Sequence, residues 1–167
     1  MNSIFKRSSV RNFKKKSIKK PAIERLLKAG MMAPSAKDSR PWEFIVVEQK
    51  EKREALAKTS PYAKPAEKAP LDIIVLGNMN RLSKDNVWWP QGLSACVQNI
   101  LLQAVEEGLG GVWLGVYPRE DRISAIVEQL NLPNGIIPFA ILAIGYPAEE
   151  KEAKGRFEAD RIHFEKF

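Results

Sequence analysis

Cysteine and histidine are nearly missing from this 167-residue chain, which has one of each, Cys96 and His163. A lone cysteine excludes an intrachain disulfide and any multi-cysteine metal site, and suits a reducing compartment. A lone histidine makes a zinc site or a Ser-His-Asp triad hard to build. No long apolar run is present either. The best stretch, 136–146, is broken by Pro138 and Gly145 and falls short of the roughly 20 residues that span a bilayer. The basic N-terminus lacks the apolar segment of a secretion signal, so a soluble, cytoplasmic protein is expected. Glycine-rich phosphate loops are absent: neither G-x-G-x-x-G nor G-x-x-x-x-G-K-[ST] occurs, which removes the usual nucleotide-fold readings. "GLGG" at 108–111 follows a helical pattern and precedes a strand pattern, the reverse of the required order, and reads as a helix C-cap and turn. If the chain is an enzyme, its chemistry falls to a cofactor, with no metal expected.

Acidic residues are absent from positions 1–20, which hold Lys6, Arg7, Arg11, Lys14, Lys15, Lys16, Lys19 and Lys20. The net charge of +7 therefore sits on an arm, and the remainder is nearly balanced. Such an arm can grip a nucleic-acid backbone or a cofactor phosphate, or lie in solvent. Lys14 to Lys20 is read as solvated.

What is present is a regular alternation of elements in a chain long enough for one core. Helical spacing predicts helices over 21–32, 49–58, 91–107 and 119–130, the third being the most apolar and stopping at Gly108. Short apolar, β-branched runs predict strands at 44–47, 71–76, 110–116 and 138–146. The pattern implies a single αβ domain over 1–167, a mixed sheet flanked by helices, with 147–167 as a polar extension.

"KRSSVRNF" at 6–13 is the candidate anion site. Extended, it would put Arg7, Ser9 and Arg11 on one side; helical, it would make Arg7 and Arg11 an i, i+4 pair. Either way two forked cations flank a hydroxyl, which suits a phosphate monoester. An unpartnered basic tail is the equal alternative.

Taken together, "RSSVR" at 7–11, "APSAKDSRPWEF" at 33–44, a long helix with Asn99 ahead of "GLGGVWLGVYP", and a late "AIGYP" resemble the nitroreductase family along essentially the whole chain. The order and spacing of the blocks carry the resemblance. It implies an α+β fold with a mixed central sheet, a homodimer exchanging its C-terminal extension, FMN at the subunit interface, and NADH or NADPH as reductant. By position, Arg7, Ser8, Ser9 and Arg11 would hold the phosphate and ribityl chain, joined by Lys154 and Arg156. Pro34, Ser35, Ala36 and Asp38 would lie against the flavin from the partner subunit, and the Trp113, Leu114 and Gly115 backbone would face its ring system. The implied mechanism is ping-pong, with hydride transfer from NAD(P)H to flavin N5 and electrons then passed to a nitroaromatic, quinone or similar acceptor; no protein nucleophile or acid is required.

Two residues depart from the family pattern, which usually has amides there. Asp38, when ionised, can only accept hydrogen bonds. Arg40 can pair with Asp38, hold a substrate carboxylate or face solvent, and is read first as exposed. Arg40, Trp88 and Trp89 are the substrate-cleft candidates, the two indoles being read as cleft or interface residues. Cys96 reads as core, Trp42 as packing the loop to the sheet, and His163 as a tail or surface residue. Phe157, Phe164 and Phe167 are expected on a second subunit. A specialised flavin-fold role, such as a deiodinase-like, flavin-fragmenting or purely FMN-binding protein, is the alternative, and a nucleic-acid-binding module a more distant one.

Overall fold

Two strands carry the architecture, β2 (Leu71–Asn78) and β4 (Ile136–Gly145), both buried along nearly their whole length. Near-continuous apolar runs such as "LDIIVL" and "PFAILAIG" suit strands covered on both faces. The computed structural model describes residues 2–149 and 155–167. In it the two strands pair antiparallel at the centre of a four-stranded sheet. β1 (Trp42–Val47) flanks β2, and β3 (Gly110–Gly115) flanks β4, giving the order β1-β2-β4-β3.

The side-chain period of two divides the core between two layers. Leu71, Ile73, Val75, Leu142 and Ile144 meet α2 (Lys20–Met31) and α5 (Trp89–Glu106) on one face. Ile74, Leu76, Ile141 and Ala143 meet α3 (Lys50–Ala57), α4 (Pro65–Lys68) and α6 (Glu120–Leu130) on the other. The α+β class and the flanking helices are as the sequence implies. All four strands pair antiparallel, and the parallel element is an isolated bridge between Ser9 and Gly111. β2 and β3, on either side of α5 in sequence, run in the same direction but are separated by β4.

Element ends differ from the sequence expectation where a partner extends them. β1 starts at Trp42 and β4 at Ile136 because β2 runs on to Asn78, supplying Gly77 opposite Trp42 and Asn78 opposite Ile136. α5 starts at Trp89, with Pro90 in its first turn, where a missing N–H costs nothing. It ends as expected at Gly108, whose φ of 67° lets the Leu109 N–H reach the Ala104 carbonyl at 2.7 Å and the Gly108 N–H reach that of Val105 at 3.0 Å. Cys96 is fully buried on this helix, as read. Trp42 is also buried, as a residue of β1 itself.

Asp72 breaks the apolar pattern of β2. It shares the face of Ile74, is fully buried, and neither carboxylate oxygen has a hydrogen-bond partner among the described residues. Burial pushes its pKa up to about 9, against a smaller lowering by the Arg53 guanidinium. Because the folded pKa lies above the unfolded one, the native state holds a proton that the unfolded chain has released. Stability therefore falls as pH rises between about 4 and about 9, by at most about 1.4 kcal/mol per unit for one proton. Asp72→Asn is expected to flatten that slope and to raise stability at pH 8 by about 1–3 kcal/mol; thermal unfolding of both proteins from pH 5 to 9 measures it, and parallel curves would refute it.

Candidate functional site

The N-terminal arm is a built part of the sheet edge. α1 (Ser3–Lys6) is capped by Asn2, whose side chain accepts from the Ile4 N–H at 3.0 Å, and gives way to extended backbone at Arg7. Ser9 then bridges Gly111 in parallel, and the Val10 N–H donates to the Gly111 carbonyl at 3.1 Å. Val10 lies so close to Gly110 that a Cβ there would come within 2.5 Å of its Cγ2. Farther on, Phe13 bridges Pro147, and the Ala148 N–H donates to the Asn12 carbonyl at 3.1 Å.

The extended alternative is thus the one adopted. Val10 points onto the strand, so Arg7, Ser9 and Arg11 share the opposite side at period two, with Ser8 on the Val10 side. Arg7, Ser8 and Ser9 are half-buried and Arg11 is exposed. Neither arginine has an acidic partner within 4 Å among the described residues. Arg156 is exposed on the tail, and Lys154 lies outside the described residues.

β3 presents its residues alternately. Val112 and Leu114 enter the core, while Trp113 is 37% exposed and Gly115 is open, with no atom within 4 Å of where a Cβ would sit. Arg122, on the first turns of α6, donates from Nη1 to the Gly115 carbonyl at 2.7 Å and lies over the Tyr62 ring at 5.3 Å. Its Nε is buried with no partner among the described residues. Nothing in the sequence singled out Arg122 beyond its place in an amphipathic helix.

The loop at 33–41 is held in an uncommon shape. Lys37, Asp38 and Arg40 all have positive φ, 56°, 49° and 44°, a region few non-glycine residues enter. Ser35 Oγ accepts from the Arg40 N–H at 2.9 Å, and Pro34 and Ser35 pack on Gly92 of α5. Ala36 opens the short turn Ala36–Asp38 and is half-buried. Arg40 is exposed, as read, and also paired: Nε and Nη2 grip both Asp38 oxygens at 2.7 and 2.5 Å. That hydrogen-bonded guanidinium holds the Asp38 carboxyl below its usual range. Asp38 is consequently an ionised, occupied acceptor. Lys37 is tied to Asp85 at 3.0 Å.

Trp88 and Trp89 separate. Trp88 is 55% exposed, whereas Trp89 packs into the interior aromatic group, 4.7 Å from Tyr117 and 6.2 Å from Phe139. Trp88 is the cap residue ahead of α5, whereas Trp89 is the helix's first residue and turns toward Tyr117 and Phe139. Among the described residues of one chain, the arm and β3 share no hydrogen bond or ion pair with the 34–40 loop.

This donor set suits a phosphorylated planar ligand: two guanidiniums with no acidic partner among the described residues and the Ser9 hydroxyl on one side of the arm, and an open glycine on the adjoining strand. It offers no nucleophile–base pair, and no cluster of metal-binding side chains occurs among the described residues.

Comparison with known proteins bears directly on this arrangement. A model described as the nitroreductase family matches residues 4–78 and 59–146. A protein of Methanothermobacter thermautotrophicus, provisionally named an NADH dehydrogenase/NAD(P)H nitroreductase, is 41% identical over 100% of this chain and 87% of its own. A Clostridium acetobutylicum structure, provisionally named an NADH oxidase, is 42% identical with a TM-score of 0.96, over 99% of this chain and 100% of that one. An FMN-dependent nitroreductase from Clostridium difficile is 33% identical with a TM-score of 0.91, over 99% of each chain.

The seating of the arm depends on Gly110 having no side chain. Gly110→Ala is expected to lift Val10 off β3 at a cost of about 1–3 kcal/mol. Amide hydrogen exchange should accelerate at residues 8–13 while β2 and β4 stay protected; unchanged protection of the Val10 N–H would refute this seating.

Proposed function

This chain belongs to the nitroreductase family, and we propose that it is an FMN-dependent oxidoreductase drawing on NADH or NADPH and delivering electrons to a nitroaromatic, quinone or similar small acceptor. The observation that carries this reading is the arm bridged to β3, which sets two guanidiniums, without an acidic partner among the described residues, beside a strand ending in an open glycine. Held there by Arg7, Ser8, Ser9 and Arg11, FMN would supply the hydride- and electron-transfer chemistry.

The chain's own residues bind and orient. Arg7 and Arg11 offset the phosphate charge, with Ser8 and Ser9 donating to its oxygens or to the ribityl chain, and Lys154 and Arg156 complete the cationic shell. The backbone of Trp113, Leu114 and Gly115 would lie against the ring system. Arg122, already fixed on the Gly115 carbonyl, contributes positive charge beside it.

A second subunit fits the surface. Phe157, Ile162, Phe164 and Phe167 on the tail, with Met31, Met32 and Trp88 on the body, are exposed large apolar side chains, more than a monomer ordinarily leaves in water. A partner would bring its Pro34, Ser35, Ala36 and Asp38 to the flavin, with Arg40 and Trp88 at the acceptor entrance. Asp38, held by Arg40, can accept from a flavin N–H but cannot donate as an amide would.

Purified protein should be yellow, elute at twice the chain mass and be bleached by NADH or NADPH. A yellow protein that neither nucleotide reduces would point instead to a specialised flavin role. Arg7→Ala and Arg11→Ala are each expected to lower retained flavin by about tenfold, the equivalent of one charge-assisted contact or more, with unchanged far-ultraviolet circular dichroism. Full flavin occupancy after desalting in both variants would remove the phosphate assignment.

A further inference from the structure

A second cationic site lies along the same arm, beyond the residues just described. A groove of about 680 Å³ opens between residues 12–17 on one wall and the start of α3 with the end of α4 on the other. Among the described residues, Lys14, Lys15, Lys16, Lys50, Arg53 and Lys68 line it, against two acids, Glu48 and Glu67. None of Arg7, Ser8, Ser9, Arg11, Trp113, Leu114 or Gly115 borders it.

Both walls are fixed. The lysine run, expected to be merely solvated, does have exposed side chains, yet its backbone is pinned: the Lys14 N–H donates to the Tyr146 carbonyl and the Lys16 N–H to the Lys14 carbonyl, both at 2.8 Å. Ile18, buried just beyond, anchors the segment, and Lys16 Nζ sits 4.1 Å over the Tyr146 ring. On the opposite wall the Arg53 guanidinium clips three carbonyls, donating to Glu48, Glu67 and Ala69. Lys50 is drawn to Glu54 at 3.5 Å. Lys14, Lys15 and Lys68 have no acidic partner within 4 Å among the described residues. Like charges lining one groove on pinned backbone repel one another, and an anion filling the groove removes that cost.

We propose that this groove binds the pyrophosphate group of a small molecule, either inorganic pyrophosphate or a nucleoside diphosphate. Ammonium groups act as point charges on phosphate oxygens, and a volume of this order accommodates a nucleotide. The site is bounded by Glu48 and Glu67 and its one aromatic, Phe13, is half-buried, so it lacks both the continuous basic track and the stacking surface that a single-stranded nucleic acid uses.

Isothermal titration of the full-length, flavin-loaded protein at low salt, with inorganic pyrophosphate, ADP and a single-stranded oligonucleotide in separate arms, tests the assignment. Pyrophosphate and ADP are expected to bind, with affinity falling as salt rises. The Lys15→Glu/Lys68→Glu double variant should weaken both by about tenfold or more, while Lys15→Arg/Lys68→Arg retains them and flavin occupancy is unchanged in each. Tighter binding of ADP than of pyrophosphate identifies the nucleotide as the source, and equal affinity identifies the inorganic anion. Binding unaffected by the charge reversals, binding lost instead in Arg7→Ala, or binding of the oligonucleotide alone would overturn the proposal.

Discussion

Everything described depends on the antiparallel pairing of β2 with β4. These strands are sealed on both faces, so their register is costly to change: a one-residue slip would exchange the layer of Ile73, Val75 and Leu142 with that of Ile74 and Ile141. That pair fixes where β3 lies, since β3 has no other strand partner among the described residues and hangs on the outer edge of β4. The exposed side of β3 is in turn where the arm docks, through Ser9 and Gly111. The site is thus assembled outward from the core, each layer positioned by the one beneath it.

Two glycines let backbone groups meet that side chains would keep apart. Gly108 turns the chain from α5 into β3, and Gly110 admits Val10 onto the strand. Close approach converts a basic tail into a structural element whose period-two alternation sorts its residues, with Val10 inward and Arg7, Ser9 and Arg11 outward. The same arm continues into the lysine run, where Phe13 and Ile18 hold the backbone while the ammonium groups stay in water. One segment therefore displays two cation sets in different directions.

Charge is handled in contrasting ways across the molecule. At the loop, Asp38 and Arg40 neutralise each other at the surface, where the pair adds little stability but fixes which groups are free to bond. Inside, Asp72 has no such partner among the described residues, and burial favours its protonated form. On the arm, Arg7 and Arg11 have no acidic partner within 4 Å among the described residues. Residual, unsatisfied charge is found where a ligand of opposite sign can supply what the chain does not.

The sequence by itself determined the class of fold and the order of its elements, because continuous apolar runs and helical periodicity are local properties that burial then enforces. The nitroreductase likeness was legible for a related reason: its blocks, from "RSSVR" to "AIGYP", keep their order and spacing along the chain. Tertiary structure alone decided whether residues 7–11 are extended or helical, since the deciding contact is with Gly110 and Gly111, a hundred residues away. It also decided that Trp88 and Trp89 part company, that Arg40 is at once exposed and paired, and that Arg122 reaches Gly115. Asp72 carries no signal within "LDIIVL", because one acid in an apolar run gives no sign of whether a partner will face it. Periodicity reports which face of an element is buried; only packing reports what that face meets.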